Sequence, residues 1–189
     1  MARSRNPAFR AGLLAAATRV FGERGLGAST ASIAKEAGVS TGTLFVYFES
    51  KSVLVNALYV ELKTEMARVA TDGLPIDAGP REQLRHMWDR WIEWSTTQPE
   101  KRRALAQLGV AEDLTDESRA ATGEAYADIG ALVRAIAEAG PMRAAPLALV
   151  LALMSSITDT VIDDLLLDPD PAGARSGLAF DAMWRALAG

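Results

Sequence analysis

The 189-residue chain contains no cysteine and only one histidine, His86. The first absence excludes a disulfide framework, a thiolate zinc site and thiol catalysis. The second leaves little material for a histidine-based metal site or a catalytic base. No G-x-S-x-G elbow, phosphate-binding loop or H-E-x-x-H motif is present, so no enzyme reading arises. Apolar runs also stay well below the roughly 18 residues that cross a bilayer. The longest candidate, 147–154, stops at Ser155 and Ser156 and is followed by Asp159, Asp163 and Asp164. The start, MARSRNPAFRAGLLAAATRVF, superficially resembles a signal peptide, but Arg10 and Arg19 interrupt and bound its apolar stretch. A cytoplasmic protein with no membrane partner is the expectation.

What is present points to helices. Apolar residues make up 49% of the chain and charged residues 23%, the balance of an ordinary globular protein rather than a disordered one. Alanine and leucine dominate, and glycines and prolines fall mostly between periodic segments. Spacings of three and four predict an all-α protein of nine helices, with no convincing strand and no internal repeat. They lie near 7–24, 30–37, 40–48, 51–71, 81–97, 99–111, 115–139, 145–167 and from Ala172 towards the end. The net charge of −4 hides a division. Residues 1–51 hold seven basic and three acidic residues, a net of +4, and residues 52–189 hold 13 basic and 21 acidic, a net of −8. A basic head on an acidic body suits a head that meets phosphates.

The stretch 30–51, TASIAKEAGVSTGTLFVYFESK, carries the most information. Ser29 or Thr30 caps a short helix whose inner side is Ile33, Ala34 and Ala37; Gly38 supplies the turn, and Val39 packs inward. Ser40 caps a second short helix, and Ser50 caps the long helix that starts at Lys51. Two helices joined by a glycine turn form a device for laying the second in the major groove of DNA. The first turn of that second helix, Ser40, Thr41, Gly42 and Thr43, is small and mostly hydroxylated, which admits close approach to base edges and phosphates. Leu44 and Phe48 pack the helix onto its own domain, while Phe45 is positioned to meet a thymine methyl and Tyr47 a phosphate. Lys51, at the next helix N-terminus, adds a full charge where free amides already favour an anion. Taken singly, each of these residues also fits a plain role, Lys51 as a solvated lysine and Phe45 and Tyr47 as core aromatics.

With VFGERG before it and VLVNAL after it, this stretch resembles the TetR family of bacterial transcriptional regulators over residues 7–62. The resemblance implies an N-terminal three-helix helix-turn-helix domain, residues 1–51, and a C-terminal helical domain, 52–189, for ligand binding and dimerisation. It also implies that Thr41, Gly42, Thr43 and Phe45 approach bases and that Tyr47 and Lys51 hold phosphates, with Thr30 and Ser40 adding caps and backbone contacts. Phe45 stands where many members have tyrosine, and Ala31 and Val46 stand where some carry long polar side chains. Base readout here therefore leans on fewer hydrogen bonds.

In the body, Leu84, Met87, Trp88, Trp91, Ile92 and Trp94 share an arc of about 160° at 100° per residue. The three tryptophans with Met87, and Tyr126, Leu132 and Met154 as facing residues, are candidates for a pocket holding a small, largely apolar or aromatic ligand. The alternative is plain core. His86 lies on the opposite, polar side, near Arg90 and Glu93, as a solvated residue. The helix at 145–167 is apolar on more than one side, which suits burial against its own domain and a second subunit. Leu153, Ile157 and Val161, with Phe180, Trp184 and Leu187 from the last helix, are the candidate interface; the family resemblance implies a four-helix dimer contact there. The alternative is a helix at the centre of a monomer. Asp159, Asp163 and Asp164 read as solvated or interface carboxylates, and no metal or cofactor is expected. The leading function is a homodimeric regulator, most often a repressor in this family, that binds a palindromic double-stranded DNA operator and responds to a ligand. The alternative is a helical ligand-binding or interaction protein with a vestigial DNA-binding head.

Overall fold

The computed structural model describes residues 6–170 and 173–189. The basic Arg3 and Arg5, and the predicted start of the last helix at Ala172, lie outside the described residues. Ten α-helices occur among the described residues: α1 Pro7–Arg24, α2 Thr30–Glu36, α3 Thr41–Tyr47, α4 Lys51–Thr71, α5 Pro80–Thr97, α6 Pro99–Gly109, α7 Asp116–Ala125, α8 Ala127–Ala139, α9 Leu147–Leu167 and α10 Ala174–Ala188. The extra helix arises because the segment predicted as one helix over 115–139 breaks at Tyr126 (φ −103°, ψ 5°). Gly123 and Gly130 flank the break and contribute little helix propensity. The unit boundary also falls beside the break: α7 buries only Ser118 and Thr122, whereas α8 buries Val133, Ile136 and Ala137, so no single apolar face runs through both.

The chain divides into two compact units. The first comprises Met1–Glu65 and Gln98–Glu124, the second Met66–Thr97 and Ala125–Gly189. In the first unit α1 begins with Asn6 as cap, its side chain accepting from the Ala8 N–H at 3.0 Å, and with Pro7 in the first turn. Leu13, Leu14, Ala16, Ala17, Val20 and Phe21 bury the inner side of α1 against Ile33 and Ala34 of α2, Leu44 of α3 and Leu54 and Leu58 of α4. Ala104 and Leu108 of α6 and Ala111 and Leu114 beyond it join the same core. The turn from α2 to α3 is closed by two bonds: Gly38 N donates to Lys35 O and Val39 N to Ala34 O. That pattern needs a left-handed residue at its hinge, which Gly38 supplies at φ 70°.

In the second unit, Leu84, Trp88 and Ile92 of α5 meet Val133 and Ile136 of α8, Val150, Ile162 and Leu165 of α9, and Phe180, Met183 and Leu187 of α10. The Trp88 indole N–H donates to the buried Ser176 hydroxyl at 2.9 Å, and its ring meets Phe180 edge-on, centroids 5.9 Å apart. Both contacts fix α5 against α10: the hydrogen bond satisfies the tryptophan's polar tip, and the ring pair adds aromatic contact. No helix among the described residues is long and apolar enough to cross a membrane.

A candidate DNA-reading surface

Each helix of the reading motif starts on a serine. Ser29 caps α2 by accepting from Ser32 N at 3.2 Å, so Thr30 is the first helical residue, half-buried, rather than the cap. Ser40 caps α3 by accepting from Thr43 N at 3.1 Å, with the two hydroxyls 2.9 Å apart. Ser50 caps α4 by accepting from Val53 N at 3.1 Å. Each bond satisfies an orphan amide at a helix start, which matters most for the seven-residue α2 and α3, too short to hold themselves.

The inward side of α3 is Leu44, fully buried, followed by Phe48 at its C-cap. Its other sides present Gly42, Phe45 and Val46 as exposed residues, with Thr41 and Thr43 half-buried beside them. Phe45 is 41% exposed and Val46 59%. No charged side chain lies on α3, so its outward surface is made of methyls, an aromatic ring, two threonines and backbone. Ala31 on α2 is likewise exposed and offers only a methyl. Tyr47 is half-buried and stacks on Phe9 of α1, ring centroids 5.1 Å apart at 29°. Phe9 shares the three-and-four spacing of the buried side of α1. It is instead 36% exposed and belongs to this surface, a placement that only the fold of α1 against α3 determines.

Charge around the motif is more balanced than the sequence count implies. Arg10 lies over the Phe48 ring at 5.3 Å and pairs with Glu61 at 3.7 Å. Arg19 pairs with Glu36 at 2.6 Å. Arg24 and Lys35 are exposed. Partial burial raises the Glu61 carboxyl above its ordinary range; Arg10 opposes that rise, Glu65 adds to it and Lys101 opposes it. Lys51 is half-buried at the start of α4, and its ammonium donates to the Leu26 carbonyl. Beside it opens a cleft of about 290 Å³ lined by Leu26, Lys51, Val55 and residues 110–113.

In the second unit the ligand candidates separate. Trp88 belongs to the core, its N–H already bonded to Ser176. Trp91, Leu132 and Met154 are half-buried and pack against that same core. Met87 and Trp94 are buried outside that cluster, and Tyr126 is half-buried at the α7–α8 break. Ser95, one turn after Trp91, is fully buried, and its hydroxyl has no hydrogen-bond partner among the described residues. The His86 ring nitrogen lies 2.9 Å from the Asp72 carbonyl oxygen.

The interface candidates divide as well. Phe180 and Leu187 are buried in their own unit's core, Trp184 packs half-buried against it, and Ile157 and Val161 are half-buried. Leu153 is exposed, as are Leu149, Leu151 and Leu166 on the same helix and Leu178 on α10. Leu149, Ala152, Leu153, Ser156 and Thr160 follow one another at helical spacing along one exposed strip of α9. Asp159 accepts from Ser155, and Asp164 pairs with Arg175 at 3.2 Å. No group of three or more potential metal ligands forms among the described residues.

Residues 13–58 match the family model described as bacterial regulatory proteins, tetR family. Over 98% of each chain, the protein is similar to a TetR family transcription regulator from Marinobacter aquaeolei VT8, with a TM-score of 0.85 and 25% identity. A putative tetR family transcription regulator from Shewanella sp. PV-4 is similar over 96% of this chain and 98% of its own, with a TM-score of 0.83 and 25% identity. The transcriptional regulator FadR from Bacillus subtilis, solved in complex with stearoyl-CoA, shares the fold over 93% of this chain and 98% of its own, with a TM-score of 0.70 and 16% identity. The capped helix-turn-helix, the family match laid over it and the shared helical fold agree: residues 13–58 carry the tetR family signature, and the chain has the fold of TetR family transcription regulators.

Proposed function

We propose that the protein is a cytoplasmic, homodimeric repressor that leaves its operator when a small, largely apolar or aromatic ligand binds. Residues 1–51 meet DNA, and residues 52–189 bind the ligand and the second subunit. The observation that carries this reading is α3 itself: a serine-capped helix whose outward surface has small hydroxylated residues, Phe45 and Val46, and no charge. Thr41, Gly42 and Thr43 let the backbone approach base edges, and Phe45 meets thymine methyls. Tyr47, Lys51 and the backbone near Thr30 and Ser40 hold phosphates. With so few long polar side chains, discrimination depends heavily on apolar contact and DNA shape.

Dimerisation is supported by the exposed leucines on α9, where Ala152, Ser156 and Thr160 permit close helix approach beside Leu149 and Leu153. Two heads then address half-sites about 34–36 Å apart, one turn of duplex. Ligand response is supported by the half-buried Trp91 and Met154 and by the unpaired Ser95 hydroxyl, which a ligand's polar atom would satisfy. The stearoyl-CoA complex of FadR also supports ligand response in this fold. Release is a population shift: a ligand that prefers the state with wrongly spaced heads lowers DNA affinity by the same coupling energy. Selection of bound duplexes from a random pool, repeated with apolar and aromatic compounds, tests the reading. A two-fold-symmetric site lost on adding one compound is expected; no enriched sequence would sink it. For the dimer, Leu153→Asp is expected to sediment as a monomer, and an unchanged dimer would remove α9 from the interface.

A further inference from the structure

The helix that carries Lys51 is tied to a distant turn through one buried side chain. Asn56 of α4 is only 8% exposed. Its amide nitrogen donates to the Ser52 carbonyl at 2.9 Å and to the Asp113 carbonyl at 2.8 Å. Its oxygen accepts from Thr115 N at 2.9 Å and from the Thr115 hydroxyl at 3.2 Å. Every donor and acceptor that an asparagine side chain offers is thereby used. Flipping the amide would set its NH₂ against the Thr115 N–H, so the network itself fixes the orientation. Residues 113–115 form the turn between α6 and α7, held in the same unit as the reading motif.

Where that tie lies matters. Ala111 and Leu114 of the turn join the core that holds Leu54, Val55 and Leu58 of α4. Towards the start of α4 this packing gives way to an open cleft lined by Leu26, Lys51, Val55 and residues 110–113. Asn56 is therefore the hydrogen-bonded tie nearest Lys51 on that side, one and a half turns along a rigid helix. We infer that Asn56 is a positioning residue for DNA binding: by bonding the 113–115 turn to the first turns of α4, it keeps Lys51 where a phosphate meets it. An asparagine inside the helical run VLVNAL has poor helix propensity, and these bonds explain its presence there.

This inference rests on the DNA-binding reading above, and its test separates the two. Operator affinity is measured against salt for the full-length wild type, Asn56→Ala, Lys51→Ala and the double variant, at a temperature where circular dichroism shows each folded. Asn56→Ala is expected to weaken binding about tenfold, equal to 1.4 kcal/mol. Its salt slope should fall by about one, as for Lys51→Ala, because one phosphate contact is lost. In the double variant the two losses should not multiply, since Asn56 acts through Lys51. Hydrogen exchange at Thr115, whose N–H is bound by Asn56, should rise in Asn56→Ala. Thr115→Val removes one of the four bonds together with the hydroxyl that accepts from Ser118 N at 3.2 Å, spares the apolar core and serves if Asn56→Ala does not fold; a threefold or so loss of affinity is expected from it, with the Thr115 N–H still bound to Asn56. Faster exchange at Thr115 with unchanged affinity, or losses that multiply with Lys51→Ala, would overturn the inference alone. A wild type that prefers no duplex would take the DNA-binding reading down with it.

Discussion

Replacing Gly140 with alanine tests how tightly the second unit closes on its own C-terminus. Gly140 has φ −117° and ψ −166°, an extended conformation open to any residue, so no backbone strain enters. The cost is steric. A Cβ at this position would lie 1.9 Å from the Leu187 carbonyl oxygen and 2.8 Å from the Ala188 Cα. Ordinary contact begins near 3.4 Å, so a gap of about 1.5 Å must open between two stretches of backbone. The least costly relief is to unwind the last turn of α10, leaving Phe180 and Met183 packed and drawing Leu187 out of the core, where it is 2% exposed. Exposing one leucine costs roughly 1.5–3 kcal/mol, so Gly140→Ala should lose about 2 kcal/mol, with that release as its ceiling. Because two units need not unfold together, a single unfolding free energy is a poor readout. Hydrogen exchange followed by mass spectrometry on the peptide covering 183–189 reports the event locally, and the urea midpoint reports its consequence. Fast exchange confined to that turn is expected. Wild-type exchange together with a wild-type midpoint would refute the packing described here.

Other outcomes follow from the same structure. Ser176→Ala leaves the Trp88 indole N–H unpaired in the core and should cost about 1–3 kcal/mol, read from a fall in the thermal midpoint. Ser40→Ala removes the acceptor for Thr43 N and should cost about 1 kcal/mol of local helix stability, seen as weaker operator binding without loss of the dimer. Glu61 has a folded-state pKa above its unfolded value, raised mainly by burial. The folded state then holds its proton longer, so this group's contribution to stability falls as pH rises through the window just above the ordinary carboxylate range. Glu61→Gln should flatten the thermal midpoint against pH there; an unchanged profile would remove Glu61 as the cause.

Local signals were legible in the sequence wherever one segment decides its own structure. The α1 span 7–24, the serines before α3 and α4, the Gly38 turn and the buried Leu44 and Phe48 all follow from spacing and capping within a few residues. What depended on distant partners was not legible. Phe9 shares the spacing of the α1 core positions, yet it meets Tyr47 across the motif. Arg10 counts as a free positive charge in the sequence but pairs with Glu61, fifty-one positions on. The break at Tyr126 lies beside the passage from one unit to the other, which helical periodicity within either piece does not register. Phe180 and Leu187 show why an apolar stripe does not tell core from interface: both are consumed by their own unit, while Leu153 on α9 stays exposed. Among the tryptophans, only the Ser176 bond marks Trp88 as core.

The salt dependence of binding to a duplex selected from a random pool, measured for wild type and Lys51→Ala, tests the DNA-reading role of α3 and α4 most directly. Wild type should bind the selected site far more tightly than scrambled duplex, with log affinity falling linearly against log salt. Lys51→Ala should lose affinity for both duplexes alike and show a slope reduced by about one, leaving the preference for the selected site intact. Equal wild-type affinity for selected and scrambled duplex would contradict the reading of α3 as a reader of sequence. An unchanged slope in Lys51→Ala would contradict the placing of a phosphate at the start of α4.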